Sequence, residues 1–167
     1  MTDEGVGFYI RITERCSNAS VINFLKKENI MKKYINMAIF YAVLAMLVGV
    51  FYREFTKYMS FEGSTSLLRL HPHLFILGMM MYLLIYLISL SLNFYENNKI
   101  DKHLKFYNIG LILSAVMMFV RGFTEVLAKD LSNGQEAMIS GVAGLGHIIL
   151  GVSLILILLD IKKLNRI

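Results

Sequence analysis

The sequence predicts an all-α polytopic membrane protein: four transmembrane helices in an antiparallel bundle, with both termini cytoplasmic. Composition carries the class. The chain is 56% hydrophobic and 17% charged with a single proline, and its mean hydropathy is +0.58, outside the range of ordinary soluble domains. Segmentation carries the helix number. Apolar stretches run over 34–51, 73–92, 106–120 with a polar extension to 127, and 137–159. Each approaches the roughly 20 residues that cross a bilayer at 1.5 Å per residue. Charge placement carries the orientation, because cationic flanks stay in the cytoplasm. Lys26, Lys27, Lys32, Lys33, Lys99, Lys102, Lys105, Lys162, Lys163 and Arg166 fall on one side; only Arg53, Lys57, Arg69, Arg121 and Lys129 fall on the other. The net charge of +5 is explained by such flanks meeting anionic lipid, and no basic stripe points to nucleic acid.

Residues 1–30 hold no apolar segment, and 31–167 form the expected four-helix domain. Lys26-Lys27-Glu28-Asn29-Ile30-Met31 can be encoded AAA AAG GAG AAU AUU AUG, a ribosome-binding sequence shortly before a start codon. The expectation is therefore a non-native leader, or else a disordered tail, before Met31. Cys16 is the only cysteine, which excludes an intramolecular disulfide.

The first span ends in a polar group, Tyr52-Arg53-Glu54, before a turn at Glu62-Gly63-Ser64-Thr65. Pro72 then marks the start of the second span, since a missing N–H is harmless in a first helical turn. That reading puts His71 at the N-cap, interfacial, and His73 one position inside. Residues two apart on a helix diverge by about 200°, so one ion is not expected to bind both. His103 falls in the hydrophilic stretch 96–103 and reads as solvated. On the third span Ser114, Met118, Arg121 and Glu125 share a stripe, with Arg121 and Glu125 spaced as an intrahelical ion pair. Ser132 or Asn133 can cap the fourth span.

The fourth span carries Gly141, Gly144, His147 and Gly151 on one stripe. Small residues there permit close approach, either of a neighbouring helix or of a flat ligand. A histidine among glycines suits a planar macrocycle, the imidazole binding iron and the absent side chains leaving room for the ring. Ionisable residues in hydrocarbon are costly and mark functional sites. His73 and His147 are thus the candidate haem b ligands, and Arg53 and Arg121 the candidate partners of its propionates. Glu54 and Glu125 are candidate proton carriers or counter-charges, with His71 and Tyr52 as further polar residues of the site. Counting from the helix ends, His73 and His147 differ in depth by roughly 8 Å, an obstacle to both binding one iron. Met79, Met80, Met81, Met117 and Met118 offer thioethers that bind haem iron or Cu(I), but they are also ordinary packing residues.

The runs Val50-Phe51-Tyr52-Arg53-Glu54-Phe55-Thr56-Lys57, His71-Pro72-His73-Leu74-Phe75-Ile76-Leu77-Gly78-Met79, Val120-Arg121-Gly122 and Ile139 to Gly151 resemble an uncharacterised family of small four-helix membrane proteins from low-GC Gram-positive bacteria. The resemblance covers about 31 to 163 and implies a bacterial cytoplasmic membrane location without an activity. His71, His73, Leu74, Leu77 and Gly78 are also similar to the His-x-His-Leu-x-x-Leu-Gly pattern of the haem–copper oxidase and nitric oxide reductase catalytic-subunit superfamily. That similarity implies membrane histidines that bind haem iron. With four histidines the chain cannot supply a low-spin haem, a high-spin haem and a second metal, so the implication is a one-haem relative or haem sensor.

The leading expectation is a small membrane haem-b protein for electron transfer or gas and haem sensing, working with a redox partner. The alternative is a non-catalytic membrane interaction or transport component whose His, Arg and Glu residues form a proton-relay or structural network. A Cu or Zn site of His71, His73 and a carboxylate is a third. A homo-oligomer through the glycine stripe is compatible with each. Whether the chain is an enzyme is left open, although hydrolase signatures are lacking.

Overall fold

The computed structural model describes residues 3–91, 98–127 and 131–164. Among them there is no strand: α1 spans Asp3–Tyr58, α2 Leu67–His73, a π-helical turn Leu74–Met80, α3 Met81–Ser91, α4 Asn98–Val126 and α5 Asn133–Leu164. Four stretches are long and apolar enough to cross a membrane: Lys27–Tyr58, Leu67–Ser91, Lys99–Val126 and Asn133–Leu164.

Helix α1 runs back from the first span through residues 3–30. No proline interrupts the stretch, and the Lys32–Glu28 ion pair at 2.6 Å bridges the junction. The chain reverses after α1 through Ser60, whose φ of 48° lies in the left-handed region.

The second span begins earlier than Pro72 predicts. Ser66 is the residue preceding α2, and Pro72 lies inside the helix with His71. The start is fixed from outside: the Glu125 carboxylate of α4 accepts the Ser66 backbone N–H at 2.7 Å and its hydroxyl at 3.1 Å. A carboxylate satisfies free N–H groups at a helix start, wherever in the chain it comes from. Pro72 takes one hydrogen-bond donor out of the helix, and the π-helical turn follows directly. In that turn the Leu77 carbonyl accepts the Tyr107 hydroxyl at 2.8 Å. Gly78 lies against Tyr41, where a Cβ would come within 2.6 Å of the ring.

The core follows i, i+3, i+4 faces. Tyr34, Ala38, Tyr41 and Ala45 of α1 meet Leu70 and Leu74, Tyr82 and Ile85 of α3, and Leu104, Tyr107 and Leu111 of α4. Tyr41 and Tyr82 stack at 5.8 Å, and both donate to Asn108 Oδ1. Higher along the same helices, Phe51, Phe55, Phe119 and Phe123 form a ladder between α1 and α4, with centroids 5.0 to 5.9 Å apart.

Helix α5 lies along α4. Asp160 meets His103, Leu150 meets Gly110, Gly146 meets Ser114, and Ser140 meets Arg121. The closest approach is at Gly110 and Gly146, where added Cβ atoms would come within 2.7 Å of Leu150 N and 2.6 Å of Ser114 Oγ. The glycines expected to pack closely do not. Gly141, Gly144 and Gly151 have open space where a side chain would be. Hydrocarbon is as apolar as the helix interior, so hydropathy cannot say which small-residue face is turned inward.

Candidate functional site

With α5 resting along α4, a cleft is left between α5 and α2. It has a volume of about 230 Å³ and is lined by Ser66, Arg69, His73, Met117, Met118, Arg121, Ile139, Ala143 and His147. His73 and His147, which the sequence proposes as a pair, thus face one space.

The two imidazoles are held in the same way. His73 Nδ1 is 2.8 Å from the Arg69 carbonyl, and His147 Nδ1 is 2.8 Å from the Ala143 carbonyl, each four residues earlier in its helix. A carbonyl can only accept, so Nδ1 is the donor in both rings, and in the neutral imidazole that leaves the lone pair on Nε2. Ser114 Oγ lies 3.5 Å from His147 Nδ1 as a second, longer contact. Orienting one ring nitrogen by a backbone carbonyl is the usual preparation for ligation through the other.

The depth offset also shrinks. Gly122 is level with Leu67, and Gly146 with Ser114, as the close contacts show. His73 follows Leu67 by six residues, Ser114 precedes Gly122 by eight, and His147 is one beyond Gly146. At 1.5 Å per residue the histidines differ by about 4–5 Å in depth, roughly half the earlier count.

The arginines divide. Arg121 lines the cleft, its Nη2 donating to Ser140 Oγ at 3.4 Å and its Nε 3.8 Å from Glu125. The expected intrahelical pair is therefore present. Glu125 is tied to both Arg121 and the start of α2, which gives it a holding role. Arg53 does not line the cleft: it is exposed on α1 beside Glu54 at 3.9 Å. Glu54 is exposed as well. Tyr52 is half-buried, and its carbonyl accepts the Thr56 hydroxyl at 2.8 Å. His71 is turned towards α1, its Cβ 3.7 Å from where a Gly49 Cβ would be, and its Nδ1 is buried without a hydrogen-bond partner. The divergence of His71 from His73 holds.

Of the methionines, Met117 and Met118 reach the cleft, whereas Met79 and Met81 pack against the core and Met80 is exposed. Among the described residues no group of three or more His, Cys, Asp or Glu is placed to hold a metal ion, so His71 and His73 lack the carboxylate that a Cu or Zn site would require. Sequence reasoning passed over Arg69, which is in the cleft because it lies one turn before His73. It also misplaced His103, whose Nδ1 is 2.8 Å from Asp160 Oδ2, a carboxylate only 8% exposed. That partner lies on α5, 57 residues away, beyond any local pattern.

A family model described as a protein of unknown function (DUF2871) matches residues 31–164. The chain belongs to this family. No curated protein and no solved structure matches it. All the cleft residues of this DUF2871 chain lie within the matched region, as do all four histidines.

Proposed function

We propose that this DUF2871 protein is a small membrane haem-b protein, with His73 and His147 as the iron ligands and Arg121 beside a propionate. The reading rests on one observation: two imidazoles lining the same cleft, each with Nδ1–H given to a backbone carbonyl, the arrangement that leaves Nε2 for ligation. The two imidazoles would hold haem iron through ring nitrogens, a site that requires no carboxylate cluster. Gly144 and Gly151, one turn either side of His147, leave its flanks open to a flat ring. Bound haem would supply one-electron or gas-binding chemistry, for electron transfer with a redox partner or for sensing. The chain's own part is to fix the ring nitrogens, set an arginine at the anionic edge and line the ring faces with methionine and alkyl groups. The setting is a bacterial cytoplasmic membrane, with successive spans antiparallel and both termini inside. The excess of lysine near Lys32, Lys99 and Lys162 supports that orientation.

One observation favours the alternative of a structural or transport component. The Ser66–Glu125–Arg121–Ser140 chain of contacts joins α2, α4 and α5 without any ligand. Visible spectra decide between them. Protein purified in mild detergent after haem-replete expression is expected to show a Soret band, and His73→Ala or His147→Ala to remove or shift it strongly. Colourless protein that also takes up no added haem would overturn the haem reading in favour of the network.

A further inference from the structure

Arg69 is the cation of the cleft with no acidic partner within ion-pair distance among the described residues. Its backbone carbonyl orients His73 at 2.8 Å, while its side chain borders both the histidine cleft and an adjoining groove formed with Pro72, Ile76 and Leu77. Across the cleft Arg121 already shares Glu125, whose oxygens are further occupied by Ser66. Glu136 also lies on Arg121's side, lining the next pocket with Arg121 and Glu125, so both carboxylates gather about Arg121 and Arg69 is the guanidinium left without one. A lone cation at the edge of hydrocarbon is costly, and an anionic ligand group relieves that cost. Guanidinium geometry matches a carboxylate with two parallel hydrogen bonds.

We propose that Arg69 is a specificity-determining residue of the cleft, taking a carboxylate of the bound ligand and so selecting a ring with free acid groups. The inference rests on the haem reading above and replaces Arg53, which lies outside the cleft, as the second propionate partner. It also fixes a direction. Arg69 and Arg121 are both nearer than the histidines to the Ser66 and Ile139 end of the cleft, so the carboxylates face that end.

The test uses the full chain, freed of haem, in detergent. It is titrated with iron protoporphyrin IX and with the dimethyl ester of the same porphyrin, following the Soret band. Wild-type protein is expected to prefer the free acid about tenfold or more, the scale of one charge-assisted contact. Arg69→Gln should weaken free-acid binding about tenfold and leave the ester unchanged, and Arg53→Gln should change neither. Equal affinity of wild-type protein for acid and ester would overturn the role of Arg69 while the haem reading stands. Equal losses for acid and ester in Arg69→Gln would also overturn it, because they would assign Arg69 to holding His73. Failure of both porphyrins to bind wild-type protein that is folded by circular dichroism would overturn the haem reading, and this inference with it.

Discussion

His71 and His73 show how far two identical side chains can differ at a separation of two residues. His73 has its Nδ1 proton bonded and looks into the cleft; His71 is pressed towards Gly49 with a buried nitrogen that bonds to nothing. A buried polar atom without a partner costs about 1–3 kcal/mol. His71→Leu keeps the volume and removes the atom, so it is expected to raise stability by about 1 kcal/mol and to leave any haem spectrum unchanged. Thermal unfolding in detergent, with His73→Leu as the contrasting variant that loses the spectrum, checks both parts. The divergence of the pair could be read from helical geometry alone. The direction each one took could not, because it depends on where α1 and α5 lie.

For whole helices, the sequence told spans from loops well and told the faces of those spans poorly. Apolar length marked out four spans, and the four-residue spacing of Arg121 and Glu125 forecast a pair that exists at 3.8 Å. The start of α2 escaped because the group that fixes it, Glu125, is on another helix. The packing glycines escaped for a different reason. A soluble helix announces its inner face by hydrophobicity, but in a membrane both faces are apolar and only contact distances separate Gly146 from Gly144. The distances make a prediction. Gly110→Ala places a methyl group against the backbone of α5, where relief requires the helices to separate, and should destabilise by about 1–3 kcal/mol. Gly141→Ala adds its methyl to open space and should leave stability within about 0.5 kcal/mol or raise it slightly. Paired unfolding curves of the two variants compare these effects directly.

Among the described residues, three of the polar groups lie apart from one another along the bundle. The cleft holds His73 and His147; the Tyr41–Asn108–Tyr82 cluster lies within the core; His103 and Asp160 join α4 to α5 near the opposite ends of those helices. On the proposed orientation, with both termini cytoplasmic, the cleft would open in the outer half of the membrane and the His103–Asp160 pair would lie in the inner half. Labelling with a membrane-impermeant thiol reagent tests this placement in a Cys16→Ser background. Gly134→Cys is expected to react in intact cells, and Lys162→Cys only after the membrane is opened. The reverse pattern would invert the orientation and place the cleft on the cytoplasmic side.

The glycine crossing of α4 and α5 also bears on how the proposed haem would be held. Positions 110 and 146 do not line the cleft, yet the thickness of the contact there determines how far α5, and His147 with it, stands from α4. Were haem bound as proposed, His73 and His147 would hold it together at the present spacing, and a wider crossing would leave one of them to hold it, which favours gas-binding over electron-transfer chemistry. Two glycines outside the cleft lining would then bear on whether the proposed site conducts electrons or senses a gas. Stepwise enlargement at position 146, from alanine to serine to valine, becomes a way to tune that choice without touching a ligand.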